Sequence, residues 1–199
     1  VTARAVPSAA EGGVHSPAGV RVRAMGFGDC AAVAAVRVGG WRFAYEGMMP
    51  RAFLEAMSVE ADTAVRRAQF LAAGDRVVNL VAERAGEVVG WGCWGPARDE
   101  DAPAGTAELY ALYVRPGHVA SGVGRALMAE VVARAVDAGS ARIWLWVAAG
   151  NARARRFYGL AGFAADGAGS SQEYAGVPVP EVRYARELSA RPAAAASRG

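Results

Sequence analysis

The chain has 199 residues, 53% of them apolar, enough for one well-buried domain and marginal for two. Its 22 basic residues are all arginine against 19 acidic ones, a mild and dispersed charge of +3 with no basic block, which argues against a nucleic-acid partner. No apolar run is long enough to cross a bilayer, the opening residues lack the apolar stretch of a secretory signal, and Cys30 and Cys93 join no metal-ligand cluster. The expectation is a reduced cytoplasmic protein with no membrane contact and no metal.

Without lysine there is no Schiff base, and every cation is a planar fork suited to phosphate or carboxylate. Residues 1–19 and 189–199, rich in Ala, Pro, Gly and Ser, read as disordered tails around one domain over 20–188. "VRVRAM" from Val20 is an alternating strand. Asp29 stands where it could cap a helix running to Tyr45, with Gly39 and Gly40 weakening or bending its middle. Pro50 opens a short helix and Ser58 another, through about Ala73. "VVNLVAE" and "VVGWGCWG" form an antiparallel hairpin around "RAGE". After the polar loop "DEDAPAG", in which Asp99, Glu100 and Asp101 read as a solvated turn, "TAELYALYV" is the next strand. A helix with apolar residues at Leu127, Val131, Val132 and Ala135 follows. Then come a buried strand "ARIWLWV", a short helix from Asn151 to Gly162, and two strands, "GFAA" and "EVRYAREL", around a Gly/Ser-rich loop. This order predicts an α+β fold, one twisted, partly parallel sheet flanked by helices.

Gly122-Val123-Gly124 lies where a strand hands over to a helix. Glycines there let the backbone approach a ligand, and the helix start offers free N–H groups to an anion. A Walker A loop is excluded because no Lys follows. A dinucleotide fingerprint fits poorly, since Leu127 replaces the third glycine and Asp137 lies within the helix. A coenzyme A pyrophosphate site and a plain strand-to-helix loop remain.

"LYVRP…GVGRALM" together with "WVAAGNARARRFYGLAGF" resembles the GCN5-related N-acetyltransferase family, over roughly Val20 to Leu188. The resemblance implies a centrally splayed sheet and acetyl-CoA as co-substrate. It implies that the pantetheine arm lies along Leu112, Tyr113 and Val114 and that the amides of Ala120, Ser121, Gly122, Val123, Gly124 and Arg125 take the pyrophosphate. Arg115 and Arg125 would be supplementary cations. Val119 and Ala120 depart from the family's loop pattern, which removes a polar side chain but no backbone amide.

Acetyl transfer to an amine needs a base, donors for the thioester oxygen and an acid for the leaving thiolate. By resemblance, Glu108 is the base and Tyr158, on a helix face with Ala154, Phe157 and Ala161, is the acid. Glu108 is expected on the same strand face as Leu112 and Tyr110, with Tyr110 lining the site. Asn151 would cap its helix and bind the pantetheine arm, and Trp41 and Tyr45 would wall the acceptor. His118 reads as a surface residue and Cys93 as a strand residue. The expected acceptor is a small amine, amino acid or amine-bearing antibiotic. A protein N-terminus or lysine is the alternative within the enzyme class, and a weakly catalytic acetyl-CoA sensor is the alternative outside it. A homodimer is compatible with the sequence.

Overall fold

Among the described residues thirteen strands and α-helices follow in chain order: β1 (Val14–Ser16), β2 (Val20–Ala24), α1 (Cys30–Ala44), α2 (Arg51–Ala56), α3 (Val59–Ala72), β3 (Val78–Arg84), β4 (Glu87–Pro96), β5 (Thr106–Val114), α4 (Val123–Asp137), β6 (Arg142–Ala148), α5 (Ala152–Leu160), β7 (Ala164–Tyr174) and β8 (Val177–Glu187). The computed structural model describes residues 14–16, 19–72, 74 and 76–189. The strands form one sheet in the order β1-β2-β3-β4-β5-β6-β8-β7. Every neighbouring pair is antiparallel except β5 and β6, as an α+β mixed sheet requires.

Apolar residues sort the helices onto two faces. On one, Cys30, Val33 and Val36 of α1 pack against Val81, Val88 and Trp91. On the other, Val123, Leu127, Met128 and Val131 of α4 pack against Leu80, Val89 and Leu109, and the α5 residues Phe157 and Tyr158 join the same core. Two glycines set how closely helix meets strand. A Cβ at Gly40 would lie 2.9 Å from Tyr113, and one at Gly90 would lie 2.8 Å from Val123 and 2.9 Å from Leu127. The Gly39-Gly40 pair therefore neither breaks nor ends α1, and it lets Tyr113 nest against the helix.

Four local expectations change. Asp29 makes no side-chain cap on α1. Its carboxylate accepts from Arg23 at 2.6 and 2.9 Å and from the Gly26 amide at 2.7 Å, because an ion pair outcompetes a neutral cap. Val14–Ser16, inside the expected tail, pairs with β2; the expectations for residues 1–13, 17–18 and 190–199 lie outside the described residues. The Gly/Ser-rich segment after "GFAA" continues as strand, turning only at Ala175 and Gly176. Pro178 and Pro180 are tolerated in β8 because they lie beyond the residues that pair with β6. Finally, β5 carries a bulge. Cys93 pairs with Ala111 but Trp94 pairs with Leu109, so Tyr110 is an extra residue.

The bulge reverses the side-chain alternation. Ala107 and Leu109 share the α4 face with Leu112 and Val114, while Tyr110, Ala111 and Tyr113 turn toward α1. Glu108 alternates with Leu109, so it shares the α1 side with Tyr110 and not the face of Leu112, as simple alternation had predicted.

Gly90→Ala should force α4 away from the sheet and destabilise the protein by about 1–3 kcal/mol, as overpacking does. A denaturation midpoint lowered at unchanged slope is the expected result. An unchanged midpoint would mean that α4 has room to move.

Candidate active site

The parallel pair β5–β6 is joined only at Thr106–Arg142, Ala107–Ile143 and Glu108–Trp144. Beyond Glu108 the strands part, although β5 stays paired with β4 to Val114 and β6 with β8 to Ala148. The Arg115 amide donates to Val89 across the β4 side. By the alternation of an antiparallel ladder, the N–H groups of Leu112 and Val114 therefore point away from β4, into the gap. The gap opens into a cleft of about 970 Å³ that passes between the faces, from Gly124, Arg125 and Phe157 to Trp41, Tyr45 and Tyr110.

At the first end lies the loop before α4. Ala120 has φ +62° and Gly122 φ +91°, two left-handed residues that turn the chain into the helix. The first α4 bond runs from Ala126 to Gly122, and the amides of residues 120–125 have no backbone acceptor among the described residues. Six such donors at a helix start favour an anion. Val123 contributes only its amide, since its side chain is fully buried in the core. Ser121 contributes its amide too, because its hydroxyl donates to the His118 carbonyl at 2.7 Å and receives Arg84 at 3.1 Å. Arg125 and Arg156 line this end without an ion pair among the described residues, whereas Arg115 is engaged by Glu87 at 3.2 Å. His118 also lines the cleft.

Asn151 is 7% exposed, and its side-chain oxygen caps α5 by accepting from Ala154 at 3.0 Å. Tyr158 faces the cleft. Burial, then the nearby Tyr45, raises its hydroxyl well above the ordinary tyrosine range, so it stays protonated. Burial also raises Tyr45 and Tyr113. Trp41 packs on Tyr45 with ring centres 4.7 Å apart and on Tyr174 at 5.4 Å.

Glu108 lines the cleft at the point where the strands part, and it is 2% exposed. Arg98 holds its carboxylate from both sides: the backbone amide and Nε reach one oxygen at 3.0 and 3.2 Å and a guanidinium nitrogen reaches the other at 2.5 Å. Tyr110 donates its hydroxyl to the Pro96 carbonyl at 2.5 Å and stacks under Arg98 at 4.2 Å. Asp99 and Asp101, expected to be solvated, instead bind Arg183 at 3.2 and 3.0 Å. Burial pushes the Cys93 thiol up to about 11, which keeps it from acting as a nucleophile near neutrality.

Arg98, Arg156, Tyr174 and Glu181, which line the cleft, escaped the sequence reading. Tyr174 lies in the segment taken for a loop and Glu181 opens the expected strand "EVRYAREL", where it was given no role; both face the cleft from the β7–β8 hairpin. The only sequence signal was a Tyr and a Glu flanking a Gly/Pro-rich turn.

A profile of the Acetyltransferase (GNAT) family matches residues 42–163, more than half of the chain, and the chain belongs to that family. An uncharacterized N-acetyltransferase of Mycobacterium tuberculosis is 37% identical over 105 residues, which cover 53% of this chain and 64% of that relative. The uncharacterized N-acetyltransferase YuaI of Bacillus subtilis is 27% identical over 128 residues, covering 64% and 71%. The PaiA N-acetyltransferase of Thermoplasma acidophilum, solved in complex with coenzyme A, has the same fold. It is 18% identical with a TM-score of 0.63, over 84% of this chain and 98% of that one. No helix among the described residues is long and apolar enough to cross a membrane.

The two left-handed positions should respond oppositely to substitution. Gly122→Ala places a Cβ at φ +91° and should lose about 1 kcal/mol or more. Ala120→Gly relieves a strain of about 1–2 kcal/mol at the expense of a freer unfolded chain, for a net gain of at most about 1 kcal/mol. Denaturation midpoints of the two variants check this, and shifts of the same sign would contradict it.

Proposed function

We propose that the protein transfers the acetyl group of acetyl-CoA directly to the primary amine of a small molecule. The observation that carries this reading is the junction of six acceptor-free amides with a strand edge opened beside them. The residues fit the co-substrate. The amides of 120–125, with Arg125 and Arg156 alongside, suit a pyrophosphate, and the Leu112 and Val114 amides suit the amide-bearing pantetheine arm as an added strand. Bound there, acetyl-CoA supplies an activated acyl group on a thiolate leaving group.

In this reading the amine attacks the thioester carbon, a C–N bond forms as the C–S bond breaks, and Tyr158 gives its proton to the departing sulfur. The raised affinity of Tyr158 for its proton means that the donor stays loaded across the working pH range. Glu108 is the proposed acceptor of the amine proton through water. Its carboxylate already holds Arg98, and the amine becomes a ready proton donor only as it attacks. Trp41 and Tyr45 bound the acceptor side, and Tyr110, with its hydroxyl held by Pro96, contributes a ring face. A cleft end bounded by aromatic rings favours a small acceptor over a protein surface.

Tyr158→Phe should lower kcat by about 10²–10⁴-fold with little change in acetyl-CoA affinity, because the lost contact strengthens only as the thiolate forms. Since deprotonation of Tyr158 lies above the ordinary value of about 10, the deficit should be constant from pH 6 to about 9. Glu108→Gln should lose most at low pH, where the amine holds its proton, and recover partly as free amine becomes abundant. Steady-state profiles with one alkylamine check both. Variants within a few-fold of wild type throughout would remove these residues from the chemistry.

Calorimetric titration with acetyl-CoA tests the reading at its base. Wild type should bind, and no binding would refute it.

A further inference from the structure

Three acidic side chains line the cleft, and two of them are neutralised: Asp99 by Arg183 at 3.2 Å and Glu108 by Arg98 at 2.5 Å. Glu181 is the third. It sits where β8 first pairs with β6, opposite Ala148, and opposite Ser170 on β7. It is half-buried, and no described side chain forms a hydrogen bond or ion pair with its carboxylate. This is unusual in a chain whose arginines outnumber its acids, 22 to 19. A carboxylate drawn out of water without a partner is unfavourable in the free protein. Burial accordingly raises the affinity of Glu181 for a proton.

The surroundings match one kind of ligand. Tyr45, at the end of α1, and Tyr174 of β7 lie close enough to feel the charge of Glu181, and burial raises both, so neither is a competing anion. Trp41 packs against both tyrosines, which makes an aromatic wall beside the carboxylate. Arg37 of α1 stacks over Trp41 at 5.2 Å and is already paired with Asp62 at 2.7 Å. Ring faces together with an uncompensated carboxylate attract a compact cation. Of the other arginines that line the cleft, Arg125 and Arg156 lie at the opposite, pyrophosphate-suited end, and Arg153 stacks over Phe43 at 4.0 Å.

We propose that Glu181 selects the acceptor by its charge: its carboxylate pairs with the ammonium of an aliphatic amine against the wall of Trp41, Tyr45 and Tyr174. The inference rests on the acetyl-transfer reading for its kinetic arm but not for its binding arm. Glu181 is a binding residue here, and the proton of the attacking nitrogen is left to Glu108.

The test compares an alkylamine, cationic at pH 7, with an arylamine, neutral at pH 7, on wild type, Glu181→Gln and Glu181→Asp. Gln is isosteric and leaves no paired group behind, so the fold should be retained, as a thermal melt verifies. For the alkylamine, Glu181→Gln should raise the acceptor KM by about 10–100-fold, the range for a hydrogen bond to a charged group, with the acetyl-CoA KM unchanged. Glu181→Asp should restore much of the loss, and the arylamine should be indifferent to both variants. Equal losses for both acceptors, or none, would overturn the proposal. Calorimetric titration of butylamine into the protein saturated with coenzyme A separates this claim from the transfer chemistry. Binding by wild type that disappears in Glu181→Gln supports it even if no acetyl transfer is detected, and absence of binding to wild type refutes it.

Discussion

Three residue pairs join β5 to β6, and the cleft opens beyond the third. A parallel pair that ran on to Val114 would close the cleft and satisfy both strand edges. Instead, each strand keeps only its outer neighbour, β4 on one side and β8 on the other, and leaves backbone donors and acceptors facing the gap. Unpaired edges are normally a liability in a sheet. Here they border the loop whose six amides also lack acceptors, so the unsatisfied polar groups of two elements converge on one cleft. The bulge at Tyr110 adds to this by turning Leu112 and Val114 toward α4 and Tyr113 toward α1, so one strand lines both sides of the passage.

Arginines tie the loop between β4 and β5 to the strands around the cleft. Arg98, 65% exposed, reaches across to the nearly fully buried Glu108 at the parting point. Removing Arg98 would leave that carboxylate buried and unpaired, a far larger penalty than an exposed ion pair is worth. Arg183 on β8 gathers Asp166 at 2.7 Å and Asp101 at 3.0 Å, with Asp99, while its guanidinium lies 4.1 Å over Trp144 of β6. It thereby fixes the loop before β5 against the far side of the sheet. A planar fork can serve several carboxylates and stack on an indole together, which an ammonium cannot. Two arginines thus hold the β4–β5 loop against β5 and β8.

Much of this was legible in the sequence where the cause is local. The strand–glycine–helix junction at Val114 to Arg125, the cap at Asn151, the helix face that carries Tyr158 and the hairpin of β3 and β4 depend on neighbours a few residues away, and they stand where spacing put them. What failed depends on partners distant in the chain. The facing of Glu108 is set by a bulge, and a bulge is decided by the register against β4. Asp29 is the exception: its rival partner, Arg23, lies six residues away on β2, but spacing alone does not show that the chain folds back to bring them together. Tyr174 was hidden in a Gly/Ser-rich stretch whose composition favours a loop, and pairing with β8 across the hairpin overrides that preference; Glu181 opened an expected strand, but which strands flank it, and so that it faces the cleft, is set by distant pairing.

The central claim is that the opened edge of β5 and the loop before α4 bind one extended ligand together. Amide hydrogen exchange, resolved by residue with and without acetyl-CoA, tests it most directly. The account predicts that the amides of Leu112 and Val114 become protected in step with those of residues 120–125, while Tyr113, whose amide already faces β4, changes little. Protection confined to the loop, or equal protection of Tyr113 and its neighbours, would contradict the claim that the parted strands form the binding edge.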